Sequence, residues 1–172
     1  YDYYKDEIVT LEAFKAGEFD FRMENVAKQW ATLYKGENFD KKNIIKQEIP
    51  HEIPQAMQAL IFNTQKEVFK DIRVREALSY AMDFEWMNKH LFYNQYTRTR
   101  SYFQNTEYEA KGLPSKQETV CLEPVKNKIP PRVYTKEYHP PVTDGSGNIR
   151  PQMRIALSIL NKAGWEIVNR KM

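Results

Sequence analysis

The stretch "ALIFNTQKEVFKDIRVREALSYAMD", Ala59 to Asp83, places an apolar run, an Asn-Thr turn, a lone aromatic and two arginines directly before a strongly periodic segment. Its reading decides the fold. Met57–Thr64 is rich in β-favouring side chains and predicts a strand. From Asp71 the pattern changes period. Val74, Ala77, Leu78, Ala81 and Met82 fall at i, i+3, i+4, i+7 and i+8, a one-sided apolar stripe that predicts a helix with Asp71 as its N-cap. Asp83 predicts the cap of a further helix, "FEWMNKHLFY". Arg73 and Arg75 could bind an anion at the helix start, but two cations there oppose the helix dipole. The better reading is structural, with carboxylate partners.

Upstream, "DEIVTLEAFKAG" (residues 6–17) predicts a helix capped by Asp6 and ended by Gly17, with Ile8, Leu11, Ala13 and Phe14 as its apolar face. "EFDFRM" alternates as a strand does. Asn25 then suits the cap of a helix, "VAKQWATLYKG", closed by Gly36. "NIIKQEI" is strand-like. The two prolines of "IPHEIP" exclude a helix and favour an extended crossing segment. Downstream, residues 94–149 read as loops, with "GLPS", "IPPR", "HPPV" and "TDGSGN". The last helix is predicted in "RPQMRIALSILNKAGW", with Pro151 in its first turn and Gly164 at its stop. Strands alternating with helices predict an α/β fold with mixed sheets and flanking helices.

Composition excludes several classes. The chain has 172 residues, 41% hydrophobic and 13% aromatic, enough apolar matter for a core. The net charge is +3, with 26 Lys and Arg scattered among 23 Asp and Glu, so there is no dense basic stripe to track phosphates. One cysteine, Cys121, rules out an internal disulfide and has no adjacent histidine to activate it. No run approaches the length of a membrane span.

No frame for chemistry is present. His51, His90 and His139 are far apart and outside any HExxH pattern, and there is no GxSxG, Walker or GxGxxG motif. "DGSGN" (144–148) has the flavour of a calcium loop but lacks its alternating acids and terminal Glu, so a tight turn is the better reading. Asp83 and Glu85 do not share a helical face, and acid–base work is not expected of them. No metal, no cofactor and no enzymatic activity are expected. "YNQYTRTRSYFQNTEYE" (93–109) interleaves aromatics with Thr and Arg. That composition suits a ligand-contact surface or stacking on single-stranded nucleic acid, the alternative function, as well as a loop packed on its own domain.

The residues carry a family resemblance. "FNTQKEVFKDIRVREALSYAMDFEWM" resembles the signature of extracellular solute-binding proteins of the peptide/nickel type, which serve ABC importers. Asn63, Phe69, Asp71, Arg73, Val74, Arg75, Ala77, Leu78, Ala81 and Asp83 match it. Glu67 departs from it, standing where proline is common. "LEAFKAGEFDF" and "ALSILNKAGW" are similar to the family's upstream and later elements, in the same order. "LFYNQYTRTRSYF", "GLPS" and "PVTDGSGN" are similar to the branch serving Yej-type importers of oligopeptides and microcin C.

The resemblance implies a partial periplasmic-binding-protein-like fold of the peptide-binding type. Residues 1–55 would belong to one lobe with its hinge-crossing segment, and 56–172 to a second, large lobe. It implies an internal piece of a longer protein, lacking the first sheet and the later segment that commonly holds a peptide's amino terminus. The implied partners are a peptide ligand and the permease of an ABC importer, with no nucleic acid. A periplasmic, monomeric protein whose signal peptide lies outside this sequence is expected. Ligand contacts are implied at Glu24 and Asn25, in the turn after "EFDF", and at Gln58 and Asn63 on the lobe-entering strand. Tyr96 and Arg98 are added from composition and position.

Overall fold

The computed structural model describes residues 3–54 and 56–168. Gln55, where the expected lobe boundary falls, lies outside the described residues. The chain divides into two compact units. One takes in the chain through His51 together with Asn88–Tyr96; the other takes in Glu52–Met87 and the chain from Thr97 onward.

In the first unit, α1 spans Glu7–Ala16. Asp6 starts it as expected, Oδ1 accepting from the Ile8 and Val9 amides at 2.8 and 3.2 Å. Gly17 ends it at φ 81°, where a side chain would be strained, so that the Gly17 and Glu18 amides reach back to the Phe14 and Ala13 carbonyls. Leu11 and Ala13 are buried, whereas Ile8 of the expected apolar face is exposed. Phe19 closes an aromatic cluster with Phe14 and Tyr4 at ring separations of 5.5 and 5.9 Å. Two short helices follow, α2 (Ala27–Thr32) and α3 (Glu37–Asp40). Here the expectation needs two corrections. The cap of α2 is Val26, not Asn25, and Gly36 stands at the start of α3 rather than closing one long helix.

The second unit holds α4 (Glu67–Lys70), α5 (Ile72–Tyr80), α7 (Lys116–Leu122) and α8 (Arg150–Lys162). The remaining helix, α6 (Phe84–His90), begins in the same unit at the predicted Asp83 cap, whose Oδ1 accepts from the Trp86 amide at 3.0 Å. Helices α5 and α8 pack on each other, and the buried residues of the two are small: Val74, Ala77 and Ala156. Short side chains let the backbones approach closely. The rest of the predicted stripe, Leu78, Ala81 and Met82, stays exposed.

The opening stretch is thereby explained. Asn63 makes a local turn, Oδ1 accepting from the Gln65 amide at 3.0 Å, and Phe62 meets Phe69 at 5.1 Å. Asp71, in extended conformation, separates α4 from α5 and caps α5 through the Arg73 amide at 2.8 Å. The two arginines are structural, but only one takes a carboxylate. Arg73 pairs with Asp71 at 2.6 Å, and its bonds hold the Asp71 carboxyl below its ordinary range. Arg75 instead covers the last carbonyls of α4, donating to Lys70 O at 2.9 Å and to Phe69 O.

The expected strands do not form among the described residues. Residues 18–26, 45–54 and 56–63 have no regular structure, and Val168 alone carries a β-bridge. A strand is stable only against a neighbour that takes up its N–H and C=O groups. Leu60 is 88% and Ile61 93% exposed. Residues 94–149 are more ordered than expected. Ser115 opens α7 with a capping box, exchanging bonds with Glu118. Two 3-10 helices, Glu123–Lys128 and Pro131–Tyr134, follow.

The "TDGSGN" segment is the predicted turn. Asp144 Oδ1 accepts from the Ser146 amide at 2.9 Å, and the two bonds from Ser146, side chain first, hold its carboxyl low. The turn is fastened to the start of α6. Thr143 donates its amide to Glu85 Oε2 at 3.0 Å and its hydroxyl to Asp83 Oδ1. Gly147, at φ 81°, lies so close to the Trp86 indole that a Cβ there would sit 3.1 Å from the ring.

Candidate functional site

Glu24 lies in the turn after "EFDF" and is the most enclosed candidate, with its side chain 3% exposed. Both of its oxygens are engaged. Oε1 accepts from the Val26 amide at 2.7 Å. Oε2 accepts from the Tyr34 hydroxyl at 2.8 Å and meets Arg22 Nη2 at 3.4 Å. Arg22 also donates to Tyr34 Oη at 2.9 Å and to Glu7 Oε2 at 2.7 Å. The group is a charged knot tying α1, the turn and the end of α2 together.

Its electrostatics follow from that geometry. Burial pushes the Glu24 carboxyl up, but the Val26 amide, the Tyr34 hydroxyl and the Arg22 guanidinium together outweigh it and hold the pKa below the ordinary value. Burial, reinforced by the Glu24 charge, pushes the Tyr34 phenol up to about 12 against the pull of Arg22. Arg22 remains a cation, since its bonds to Glu7 and Tyr34 overcome the cost of burial. Asn25 stands beside this knot with its side chain exposed.

Tyr96 also belongs to the first unit. Asn88 of α6 brackets its backbone, Nδ2 donating to Tyr96 O at 2.8 Å and Oδ1 accepting from Tyr96 N at 3.1 Å. The ring meets Phe92 edge to face at 4.8 Å and remains 44% exposed. That arrangement fixes the ring's base and leaves one side open.

Gln58, Asn63 and Arg98 belong to the second unit. Gln58 is exposed on the extended segment before the Asn63 turn. Arg98 is half-buried, donates to the Pro141 carbonyl and lies 5.8 Å from the Phe84 ring centroid. Its guanidinium therefore has a structural employment that composition alone did not reveal. Within the first unit the structure brings Glu24 and Asn25 together through adjacency in sequence.

Two open cavities are lined by other residues. One of 640 Å³ in the second unit is bordered by Thr119, Lys126, Ile129, Pro131 and Tyr134 among others. One of 420 Å³ in the first unit is bordered by Tyr34, Phe39, Lys42 and Lys46 among others. Neither includes any of the six candidates. Among the described residues no three His, Cys, Asp or Glu side chains meet as a metal site requires. No helix among them is long and apolar enough to cross a membrane.

Comparison with known proteins assigns the class. Residues 1–172 match the bacterial extracellular solute-binding proteins, family 5 Middle, and the chain belongs to that family. It is 56% identical over 165 residues to the uncharacterized protein YejA of Escherichia coli, covering 96% of this chain and 27% of that protein. It is 34% identical over 174 residues to the probable peptide-binding protein YejA of Agrobacterium fabrum, covering 100% of this chain and 28% of that one. To the peptidoglycan-binding protein YepA of the same organism it is 33% identical over 178 residues, covering 99% and 29%. The chain thus spans between 27% and 29% of the length of these relatives. The family read from the Asn63–Asp83 motif is the one the comparisons return. Its fold is periplasmic-binding-protein-like, and its members are extracellular proteins that bind solutes.

Proposed function

We propose that this chain is part of the solute-binding subunit of an ABC importer, one that captures oligopeptides, microcin-like peptides among them, and delivers them to the permease. The match to the solute-binding family along all 172 residues carries the reading. A relative named as a probable peptide-binding protein supports the peptide as its cargo. The subunit is periplasmic and monomeric, and performs no chemistry on its ligand.

In this reading residues 1–55 belong to one lobe and 56–172 to a second. The lobes close about a hinge and trap an extended peptide. Main-chain hydrogen bonds supply most of the affinity, because every peptide offers the same N–H and C=O groups. Glu24, Asn25, Gln58, Asn63, Tyr96 and Arg98 contact the ligand or hold the backbone that does. Residues 57–64 form a strand of a mixed sheet completed by the rest of the protein. The exposed, apolar Leu60 and Ile61 support that pairing.

Native mass spectrometry of the full-length protein, purified from the periplasm, tests the reading. The expected result is release of a heterogeneous set of short peptides on denaturation. Release of oligonucleotides, or failure of the ligand-stripped protein to take up any peptide, would overturn it.

A further inference from the structure

The turn before α2 buries its charges and exposes its apolar side chains. Phe21 is 77% and Met23 71% exposed, whereas the Arg22 and Glu24 side chains are 7% and 3% exposed. A buried ion pair is a weak source of stability, because desolvation offsets most of its attraction, and its best-attested use is to fix one arrangement among several. What this pair fixes is the backbone around Asn25. Glu24 has both oxygens taken: Oε1 accepts from the Val26 amide, so the side chain bridges over Asn25, and Oε2 accepts from the Tyr34 hydroxyl and from Arg22. Tyr34 is itself only 8% exposed. Asn25 is the opposite case. Its side chain is exposed and makes no hydrogen bond among the described residues.

We infer that Glu24 is a positioning residue and not a ligand contact, and that it sets Asn25 to pair with a main-chain amide of the peptide. The inference rests on the peptide-binding reading and separates two roles which that reading leaves joint. A primary amide carries both an acceptor oxygen and a donor nitrogen, the complement of a peptide C=O and N–H. Such pairing is indifferent to the peptide's side chains. A free carboxylate would instead attract the peptide's ammonium group. Glu24 can do that only by giving up Arg22 or Tyr34 inside a buried cluster, where an unpaired partner is costly. Holding Asn25 still before the ligand arrives reduces the ordering that binding must impose.

The test measures tri-alanine binding to the full-length protein as wild type, Glu24→Gln, Asn25→Ala and the double variant. Asn25→Ala and Glu24→Gln are each expected to weaken binding by about fivefold or more. The Glu24→Gln loss should vanish once residue 25 is alanine, because Glu24 acts through Asn25. A purely structural role would lower the melting temperature in both backgrounds and show no such coupling in affinity. Losses that simply add mean that Glu24 touches the ligand by itself, which overturns the inference. Unchanged affinity in either single variant also overturns it, and the peptide-binding reading stands in both cases. Absence of binding by wild type overturns both. Should Glu24→Gln not fold, Tyr34→Phe takes its place, since it removes one bond to Glu24 and keeps the ion pair. A smaller loss that again vanishes beside Asn25→Ala supports the inference, and no loss overturns it.

Discussion

Arg73 Nη1 donates to the carbonyl oxygen of Lys162 at 2.7 Å, joining the first turn of α5 to the last turn of α8 across 89 residues of sequence. The same guanidinium grips Asp71 with Nε and Nη2. One planar fork thus braces the carboxylate that caps the start of α5 and itself donates to a carbonyl in the last turn of α8.

Arg73→Lys is therefore expected to lower the melting temperature nearly as far as Arg73→Ala, because a point-charge ammonium cannot serve both sites at once. Thermal unfolding followed by circular dichroism measures it. Full recovery of stability in the lysine variant would show that charge alone is required.

The α5–α8 contact sets a second expectation. Ala77 and Ala156 are 1% and 3% exposed, so added volume has nowhere to go. Ala77→Leu should cost about 1–3 kcal/mol by overpacking. Leu11→Ala, which empties a fully buried position in the first unit, should cost about 2–5 kcal/mol. Urea unfolding of the full-length protein provides both values.

Gly147 combines positive φ with a close approach to Trp86. Gly147→Ala should destabilise by about 1–2 kcal/mol from the left-handed backbone alone. The indole must also shift, so tryptophan emission should change before global unfolding. Gly17→Ala shares the φ penalty but has open space around it, and serves as the comparison.

The Arg22–Glu24–Tyr34 knot makes stability depend on pH at both ends. Glu24 has a folded pKa below its ordinary 4.5, so its contribution is present above that value and fades as pH falls through the lower folded pKa. Tyr34 has a folded pKa raised from 10.0 to about 12. Its contribution is complete below 10.0 and is lost as pH rises toward about 12. Phenolate absorbance should show one late-titrating tyrosine that Tyr34→Phe removes, and Glu24→Gln should make the acid limb shallower, leaving the part that Asp71 and Asp144 contribute.

Local chemistry was legible in the sequence, and long-range pairing was not. Asp6, Asp71, Asp83, Gly17 and Gly164 each set a helix end with residues within one turn, so their roles could be read directly. The Ser115–Glu118 capping box was missed when residues 94–149 were read as loops, although its Ser-x-x-Glu spacing is the signal for α7. Asn25 has the right chemistry for a cap, but α2 begins one residue later, with Val26 at its cap position and no side-chain cap bond. The segments 18–23, 43–49 and 57–64 have strand composition, yet a strand needs a partner that composition cannot supply. The knot around Glu24 joins residues as far apart in sequence as Glu7 and Tyr34, and no local pattern announces it. Arg75 likewise looked for a carboxylate in the sequence and found carbonyls in the fold.

Calorimetric titration of the full-length protein with a pool of short oligopeptides, with this chain in parallel, tests the central claim most directly. Saturable binding by the full-length protein, insensitive to moderate salt, is the predicted result. Absence of peptide binding by a correctly folded full-length protein would contradict it, and family membership would then have carried the fold without the function.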